Sequence, residues 1–165
     1  MNTNSFQNAD LWDEHSNNLR CAAPIFKSYG KKIAFCGEIT TLKLFEDNSY
    51  VRKQLTTNGK GKVLVVDGGG SLRCALVGDQ LAQLAIENKW EGIIIYGCIR
   101  DSRIIKDMNV GIRAINTCPV KSMKKNIGEQ DIPVTFAGIE FIPRNFVYVD
   151  EDGILVSKKM LMNNS

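Results

Sequence analysis

Two short apolar runs flank one amphipathic helix, and this pattern narrows the possible folds more than any other part of the chain. Residues 62–66 and 92–96 are mostly continuous apolar runs of strand length, which is typical of strands buried on both faces. Between them, leucine, alanine and isoleucine recur at helical spacing over 78–89. A strand, helix and strand in this order form a parallel pair with a right-handed crossover. The sequence therefore predicts an α/β fold built around a parallel core.

The remaining segments predict shorter elements, many of them antiparallel. Turn residues at Asn145 and at Asp152-Gly153 separate the last predicted strands. The predicted helices lie at 11–19 and 49–55, a strand pair lies within 32–44 (33–35 and 39–44), an extended segment covers 71–76, and further strands lie at 111–115, 134–136, 139–142, 146–149 and 154–157. The expected fold is one domain over 1–165 with a mixed, largely antiparallel C-terminal part.

Composition and charge exclude several classes of protein. The 165 residues suit one compact domain, and a net charge of +3 is too mild to indicate direct binding of nucleic acid. No apolar run approaches the roughly 20 residues that span a bilayer, and residues 1–10 lack the apolar core of a signal peptide. The five cysteines are scattered and form no C-x-x-C pair, which argues against disulfides and thiolate zinc sites. We therefore expect a cytoplasmic protein without a membrane partner.

The residues with the clearest chemistry stand at the start of the predicted helix and after the second strand. The helix opens with Gly-Asp-Gln-Leu at 78–81, and Arg100-Asp101 follows the strand, with twenty residues between Asp79 and Arg100. Because helix and strand run antiparallel in a crossover unit, the helix start and the strand exit lie at the same end of the domain. Ligands of open α/β sheets bind at that end. The arrangement indicates a site for a small oxo-acid.

Each of these groups suits one part of such a site. The free backbone N–H groups of Gln80 and Leu81 would hold a substrate carboxylate. Arg100 would bind the oxo oxygen and stabilise an enolate, since its guanidinium is permanently charged. Asp101 would hold a hard divalent cation, Mg²⁺ or Mn²⁺, as a Lewis acid. Asp79 would shuttle a proton or orient a metal-bound water molecule.

Each motif also has a simpler explanation. An aspartate near a helix start, such as Asp79, is commonly a cap. Adjacent opposite charges, as in Arg100-Asp101, are common on protein surfaces. Neither motif alone indicates a functional site. The evidence for a site is that both motifs lie at the same end of the predicted strand-helix-strand unit.

Other chemistries receive less support from the sequence. The Asp-Gly-Gly-Gly turn at 67–70 follows a buried strand, but a dinucleotide site needs G-x-G-x-x-G running directly into a helix, and here an extended segment follows. These glycines instead indicate a close approach of the backbone to a ligand or a neighbouring strand. His15 is the only histidine and lies in a polar stretch, which disfavours a histidine base, and no G-x-S-x-G elbow is present.

Several distinctive blocks together carry a resemblance that covers nearly the whole chain. They are Phe-Glu-Asp-Asn at 45–48, Gly-Lys-Val-Leu-Val-Val-Asp-Gly-Gly-Gly-Ser at 61–71, Trp-Glu-Gly at 90–92, Tyr-Gly at 96–97 and Asp-Gly-Ile at 152–154. In this order they resemble the RraA family, which contains regulators of ribonuclease E activity and class II 4-hydroxy-4-methyl-2-oxoglutarate aldolases. The aldolase members carry D-x20-R-D, which Asp79, Arg100 and Asp101 match here, whereas the enterobacterial regulator does not retain the aspartate pair.

The resemblance implies a divalent-metal-dependent lyase on a swivelling β/β/α-type fold. The implied reaction is retro-aldol cleavage of 4-hydroxy-4-methyl-2-oxoglutarate to two pyruvates, with oxaloacetate decarboxylation through the same pyruvate enolate. It implies substrate contacts from Gly78 to Leu81 and at Arg100, and metal at Asp101. With the roles given above, Arg100 and Asp79 are the expected catalytic residues. It also implies a homotrimer with active sites between subunits.

The same resemblance leaves a second hypothesis open, a protein-binding inhibitor of ribonuclease E. Such a regulator is expected to present an acidic face to basic RNA-binding segments. The sequence pI of about 8.6 counts against that face, although the two roles could coexist.

Overall fold

A mixed sheet of ten strands runs through residues 5–162, the part of the chain that this computed structural model describes. The helices are α1 (Asn8–His15), α2 (Ser49–Leu55), α3 (Asp79–Glu87) and α4 (Ser102–Ile105). The strands are β1 (Leu19–Cys21), β2 (Lys27–Tyr29), β3 (Phe35–Lys43), β4 (Lys62–Asp67), β5 (Ala75–Val77), β6 (Gly92–Ile99), β7 (Ile112–Thr117), β8 (Glu129–Gln130), β9 (Val134–Phe136), β10 (Ile139–Phe141), β11 (Phe146–Asp150) and β12 (Gly153–Ser157).

The centre of the sheet is parallel and its flanks are antiparallel. The main order is β1-β12-β11-β3-β4-β6-β7-β2, with β5 beside β6, β8 beside β3, and β9 with β10 as a separate hairpin. The pairs β3·β4, β4·β6, β5·β6 and β6·β7 are parallel, which confirms the predicted crossover from β4 through α3 to β6. Ligand-binding loops are therefore expected beyond the carboxyl ends of these strands.

Alternating side chains place an apolar core on each face of the parallel strands. Leu64 and Val66 of β4 pack on the face that α2 and α3 cover, where Leu55 and Ala85 are fully buried. Val63 and Val65 pack on the other face, which the β9–β10 hairpin covers. The continuous apolar run at 62–66 is thus explained, because a strand buried on both faces has no polar side.

Aromatic rings fill the core under the hairpin. The Phe136 ring stacks on Phe141 at 4.5 Å between centroids and on Tyr96 at 5.0 Å. The contact between Phe136 and Tyr96 of β6 fixes the hairpin against the sheet. The fold therefore has three layers, which are the helices, the sheet and the hairpin. This agrees with the expected mixed α/β fold.

Two predicted elements near the N-terminus are wrong. The first helix covers Asn8–His15, so the second half of the predicted helix becomes a short 3₁₀ turn and the start of β1. The predicted strand pair within 32–44 is one strand, β3, because Gly37 continues it. A Cβ at Gly37 would lie 2.7 Å from the Gly61 carbonyl oxygen, so glycine serves close strand packing there and does not mark a turn.

Differences elsewhere are smaller. Helix α2 and strand β9 have the predicted bounds, whereas β6 continues three residues beyond its predicted end to Ile99. Helix α4, of four residues, was not predicted. None of the described helices is long and apolar enough to cross a membrane.

Candidate active site

Strands β5 and β6 bring the predicted site residues together. They are parallel neighbours in which Val77 pairs with Ile99, so the residues that follow each strand, Gly78 and Arg100, lie side by side. The Arg100 N–H donates to the Val77 carbonyl at 2.9 Å and extends this contact by one residue. The predicted proximity is present, and its direct cause is the β5·β6 pairing rather than the crossover alone.

Asp101 connects the strand end to the helix start. Its backbone is left-handed, with φ 56° and ψ 32°. Its carbonyl accepts hydrogen bonds from the N–H groups of Ile104 and Ile105, which are the first hydrogen bonds of α4. Its Oδ2 accepts the Asp79 N–H at 3.2 Å and lies 3.8 Å from the Arg100 Nε. The carboxylate of Asp101, rather than that of Asp79, therefore interacts with the first turn of α3.

Gly78 makes room for this carboxylate. A Cβ at Gly78 would lie 2.6 Å from the Asp101 Oδ2, although its backbone, with φ −121°, is extended and open to any residue. The requirement for glycine is therefore one of space. Arg100 also lies close, since its Nε would be 3.6 Å from the same Cβ.

The start of α3 retains free hydrogen-bond donors. The Asp79 N–H donates to Asp101 and the Ala82 N–H to the Gly78 carbonyl, but the N–H groups of Gln80 and Leu81 have no partner among residues 5–162. The side chains of Arg100 and Asp101 are 40% and 33% exposed. A small anion could therefore reach two backbone donors and one guanidinium.

The donor set around Asp101 suits only one kind of metal site. Its Oδ1 has no hydrogen-bond partner in the described part of the chain, and these residues contain no group of three or more His, Cys, Asp or Glu side chains that could hold an ion. One carboxylate with several waters fits Mg²⁺ or Mn²⁺. It does not fit a tetrahedral zinc site.

A groove of about 490 Å³ adjoins the site on the helix side. Asp79 and Gln80 line it, together with Arg52 of α2 and Ile104 of α4, whereas Arg100 and Asp101 do not. The start of α3 thus borders the predicted site and this groove.

The glycine turn after β4 uses its donors internally. The N–H groups of Gly68 and Gly70 both donate to the Tyr96 carbonyl at 3.1 Å, and the Gly69 N–H donates to the Asp67 Oδ1 at 2.9 Å. A Cβ at Gly68 would lie 2.8 Å from the Tyr96 carbonyl oxygen. The glycines therefore serve close approach to β6, one of the two expected explanations, and offer no cradle for a phosphate.

Two residues near the site were missed in the sequence. Asn48 donates from its Nδ2 to the Leu76 carbonyl at 3.1 Å, just before Gly78, and its buried Oδ1 has no partner in the described structure. Asp47 beside it accepts N–H groups from Ser49, Lys125 and Ile127. Burial alone would raise the pKa of Asp47, but these hydrogen bonds outweigh it and lower the pKa to about 2. The only sequence signal for these two residues was their presence in the Phe-Glu-Asp-Asn block of the family resemblance.

Comparisons with known proteins cover nearly the whole chain. The family model described as RraA-like, Aldolase/RraA, matches residues 8–156. A curated relative from Aromatoleum aromaticum named "Putative 4-hydroxy-4-methyl-2-oxoglutarate aldolase" is 57% identical, over 95% of this chain and 99% of the relative. A relative of the same name from Dechloromonas aromatica is 54% identical, over 95% and 99%.

Solved structures share the whole fold. The "RNA-processing inhibitor RraA from Thermus thermophilis" superposes with a TM-score of 0.93 at 39% identity, over 97% of each chain. A Geobacillus kaustophilus structure named as an S-adenosylmethionine: 2-dimethylmenaquinone methyltransferase gives a TM-score of 0.93 at 47% identity, over 96% of this chain and all of the other. The family model, the relatives and these structures confirm the resemblance and the mixed fold, and the chain belongs to the Aldolase/RraA family.

Proposed function

We propose that this chain is a divalent-metal-dependent lyase that cleaves 4-hydroxy-4-methyl-2-oxoglutarate into two pyruvates. The observation that carries the proposal is the convergence of Arg100, Asp101 and the free N–H groups of Gln80 and Leu81 at one point. The names of the aldolase relatives support the same substrate.

The substrate's 2-oxo acid end fits the donors at this point. Its carboxylate would accept the N–H groups of Gln80 and Leu81 at the positive end of α3. Arg100, at the adjacent strand end, would then reach the oxo oxygen. Gly78 has no side chain and so leaves room for the Asp101 carboxylate beside Arg100.

Cleavage places negative charge on the oxo oxygen. The C4 hydroxyl loses its proton, the C3–C4 bond breaks, and its electron pair forms the enolate of one pyruvate while C4 becomes the carbonyl of the other. Arg100 stabilises the enolate, and protonation at C3 completes the second pyruvate. The Asp79 carboxylate is the group for transferring these protons, directly or through a water molecule. Asp101, together with waters, would hold a Mg²⁺ or Mn²⁺ ion, which would supply Lewis acidity toward the oxo oxygen. Oxaloacetate would lose carbon dioxide through the same enolate.

A second subunit is part of the proposal. Five large apolar side chains lie on the loops beyond the parallel strands and are at least 56% exposed: Phe45, Leu72, Val120, Met123 and Ile127. We call them the apolar rim. An exposed apolar cluster of this kind is typical of a subunit interface. The family resemblance implies three subunits, so we infer a homotrimer whose sites neighbouring subunits complete.

Pyruvate release tests the function directly. The protein is assayed with 4-hydroxy-4-methyl-2-oxoglutarate and with oxaloacetate, in Mg²⁺ and then in EDTA, beside an Asp101→Ala variant. We expect turnover in Mg²⁺ that EDTA abolishes and the variant lacks. Absence of turnover on both substrates by folded protein would refute the lyase.

A second candidate function is inhibition of RNA processing through ribonuclease E. The Thermus structure named as an RNA-processing inhibitor matches this chain at 39% identity, and this observation favours a role in RNA processing. Retention of the chain on immobilised ribonuclease E at physiological salt would support this role. A chain that passes through the column unretained would rule the role out.

A further inference from the structure

We propose that Arg52 binds the second carboxylate of the substrate and so selects dicarboxylic over monocarboxylic oxo-acids. This inference rests on the proposed lyase function and assigns its substrate class. It starts from the groove of about 490 Å³ that adjoins the site. Two residues of the site, Asp79 and Gln80, line its edge, so a substrate held at the start of α3 can extend into it.

Arg52 is the one cation among the residues that line this groove. It is half-buried on α2, and its guanidinium makes neither an ion pair nor a hydrogen bond with the described residues. A partly desolvated guanidinium gains most from a carboxylate, which it can bind with two parallel hydrogen bonds. The groove thus offers an unused binding group for an anion.

Helix packing sets the position of Arg52. The start of α2 is fixed to Leu76 through Asn48, and its end is fixed to α3 because the Asn88 Nδ2 donates to the Leu55 carbonyl at 3.0 Å. The two helices therefore run side by side in the same direction, with Arg52 midway. The two carboxylates of a 2-oxoglutarate skeleton lie about 5 Å apart, given C–C bonds of about 1.5 Å. A guanidinium side chain can meet the distal carboxylate from that position.

The acidic residues of the groove do not replace this role. Glu87 accepts a hydrogen bond from the Gln83 Nε2 at 3.2 Å and stands at the last position of α3. Glu87 lies eight positions after Asp79, about 12 Å along a helix. Asp79 belongs to the reacting end, so Arg52 is the group that can meet the distal end.

An apolar wall completes the fit. Leu84, Ile104 and Met108 line the same groove. Ile104 is 54% exposed and lies three residues after Asp101 in the sequence. Exposed apolar side chains beside a charged site can cover a small branch of a substrate. The combination points to an oxo-acid with a distal carboxylate and a methyl group between the two ends.

Two substrates that differ in one carboxylate test the assignment. Wild type, Arg52→Gln and Arg52→Lys are assayed with 4-hydroxy-4-methyl-2-oxoglutarate and with 4-hydroxy-4-methyl-2-oxopentanoate, which would yield pyruvate and acetone. Arg52→Gln is expected to raise KM for the dicarboxylate by about tenfold to a hundredfold, as loss of a charged hydrogen bond does, with kcat and the monocarboxylate little changed. Arg52→Lys should restore part of the loss. Lys53→Gln, on the exposed side of the same helix, is the matched control.

Binding measurements separate this inference from the proposed function. Calorimetry in Mg²⁺ compares 2-oxoglutarate with 2-oxopentanoate, and wild type should bind the dicarboxylate at least tenfold more tightly, a preference that Arg52→Gln removes. If wild type cleaves neither substrate yet shows this preference, the lyase fails and the Arg52 site stands. Equal effects of Arg52→Gln on both ligands, or no effect on either, would overturn the Arg52 site.

Discussion

Among single residues, Gly78 has the sharpest consequence for the site. A side chain there would meet the Asp101 Oδ2 at 2.6 Å, and the end of an aspartate side chain can move away without moving the backbone. Substitution should therefore disturb the carboxylate more than the fold.

We expect Gly78→Ala to fold with a melting temperature close to that of wild type and to lose at least tenfold in metal-dependent kcat/KM. Thermal unfolding and pyruvate release measure the two effects. Ser102→Ala, at an exposed position beside Asp101, is the control and should leave both unchanged. Wild-type activity in Gly78→Ala would show that the space at this position is not needed.

Asp47 is a second single residue with a measurable effect, because it makes the free energy of unfolding depend on pH. Its carboxylate accepts hydrogen bonds that hold its pKa at about 2, below the ordinary 3.8. The folded state therefore favours the ionised form, so Asp47 contributes stability above pH about 4 and loses it as the pH falls through about 2. A pKa lowered from 3.8 to about 2 corresponds to about 2 kcal/mol of stability at neutral pH.

Asp47→Asn should remove this contribution. We expect the free energy of unfolding at pH 7 to fall by about 2 kcal/mol, and its decline between pH 4 and pH 2 to become shallower. Urea unfolding across this range measures both. Glu140→Gln, at an exposed position on β10, is the control. An unchanged pH profile in Asp47→Asn would contradict the assignment.

At the level of elements, the periodicity of apolar residues predicted the helices and strands whose formation depends on local sequence. The crossover of β4, α3 and β6 has strong apolar runs and was predicted correctly, and Asp79, Arg100 and Asp101 meet as expected. The β3 strand was divided in error, because a glycine in sequence does not reveal whether it serves a turn or a close contact. Asn48 and Arg52 could not be placed, since their positions depend on how α2 packs on α3.

Gly37 provides the test for β3. A Cβ there would lie 2.7 Å from the Gly61 carbonyl oxygen, which belongs to the backbone and cannot rotate away. We expect Gly37→Ala to lower the free energy of unfolding by about 1–3 kcal/mol, the range of overpacked cores. Chemical denaturation measures it, with Glu38→Gln on the same strand as control. A loss below 0.5 kcal/mol would mean that the strands separate easily.

At the level of the whole molecule, the apolar rim lies at the same end as the candidate site. Phe45 and Ile127 line one groove, and the Met123 N–H donates to the Glu46 carbonyl, so the loops that follow β3 and β7 meet in the rim. A second subunit on this surface would cover apolar area and stand next to Arg100 and Asp101. Assembly and activity should therefore depend on the same residues.

Ile127→Glu tests this dependence, because it places a charge within the rim at a side chain that is 65% exposed. We expect wild type to sediment at three times the chain mass of 18.4 kDa, and Ile127→Glu to sediment at 18.4 kDa with at least a tenfold loss of pyruvate release. Trp12→Glu, a comparable change at a 40% exposed position on α1, should keep the mass and the activity of wild type. A wild-type protein that sediments as a single chain and still turns over substrate would show that one subunit holds the complete site.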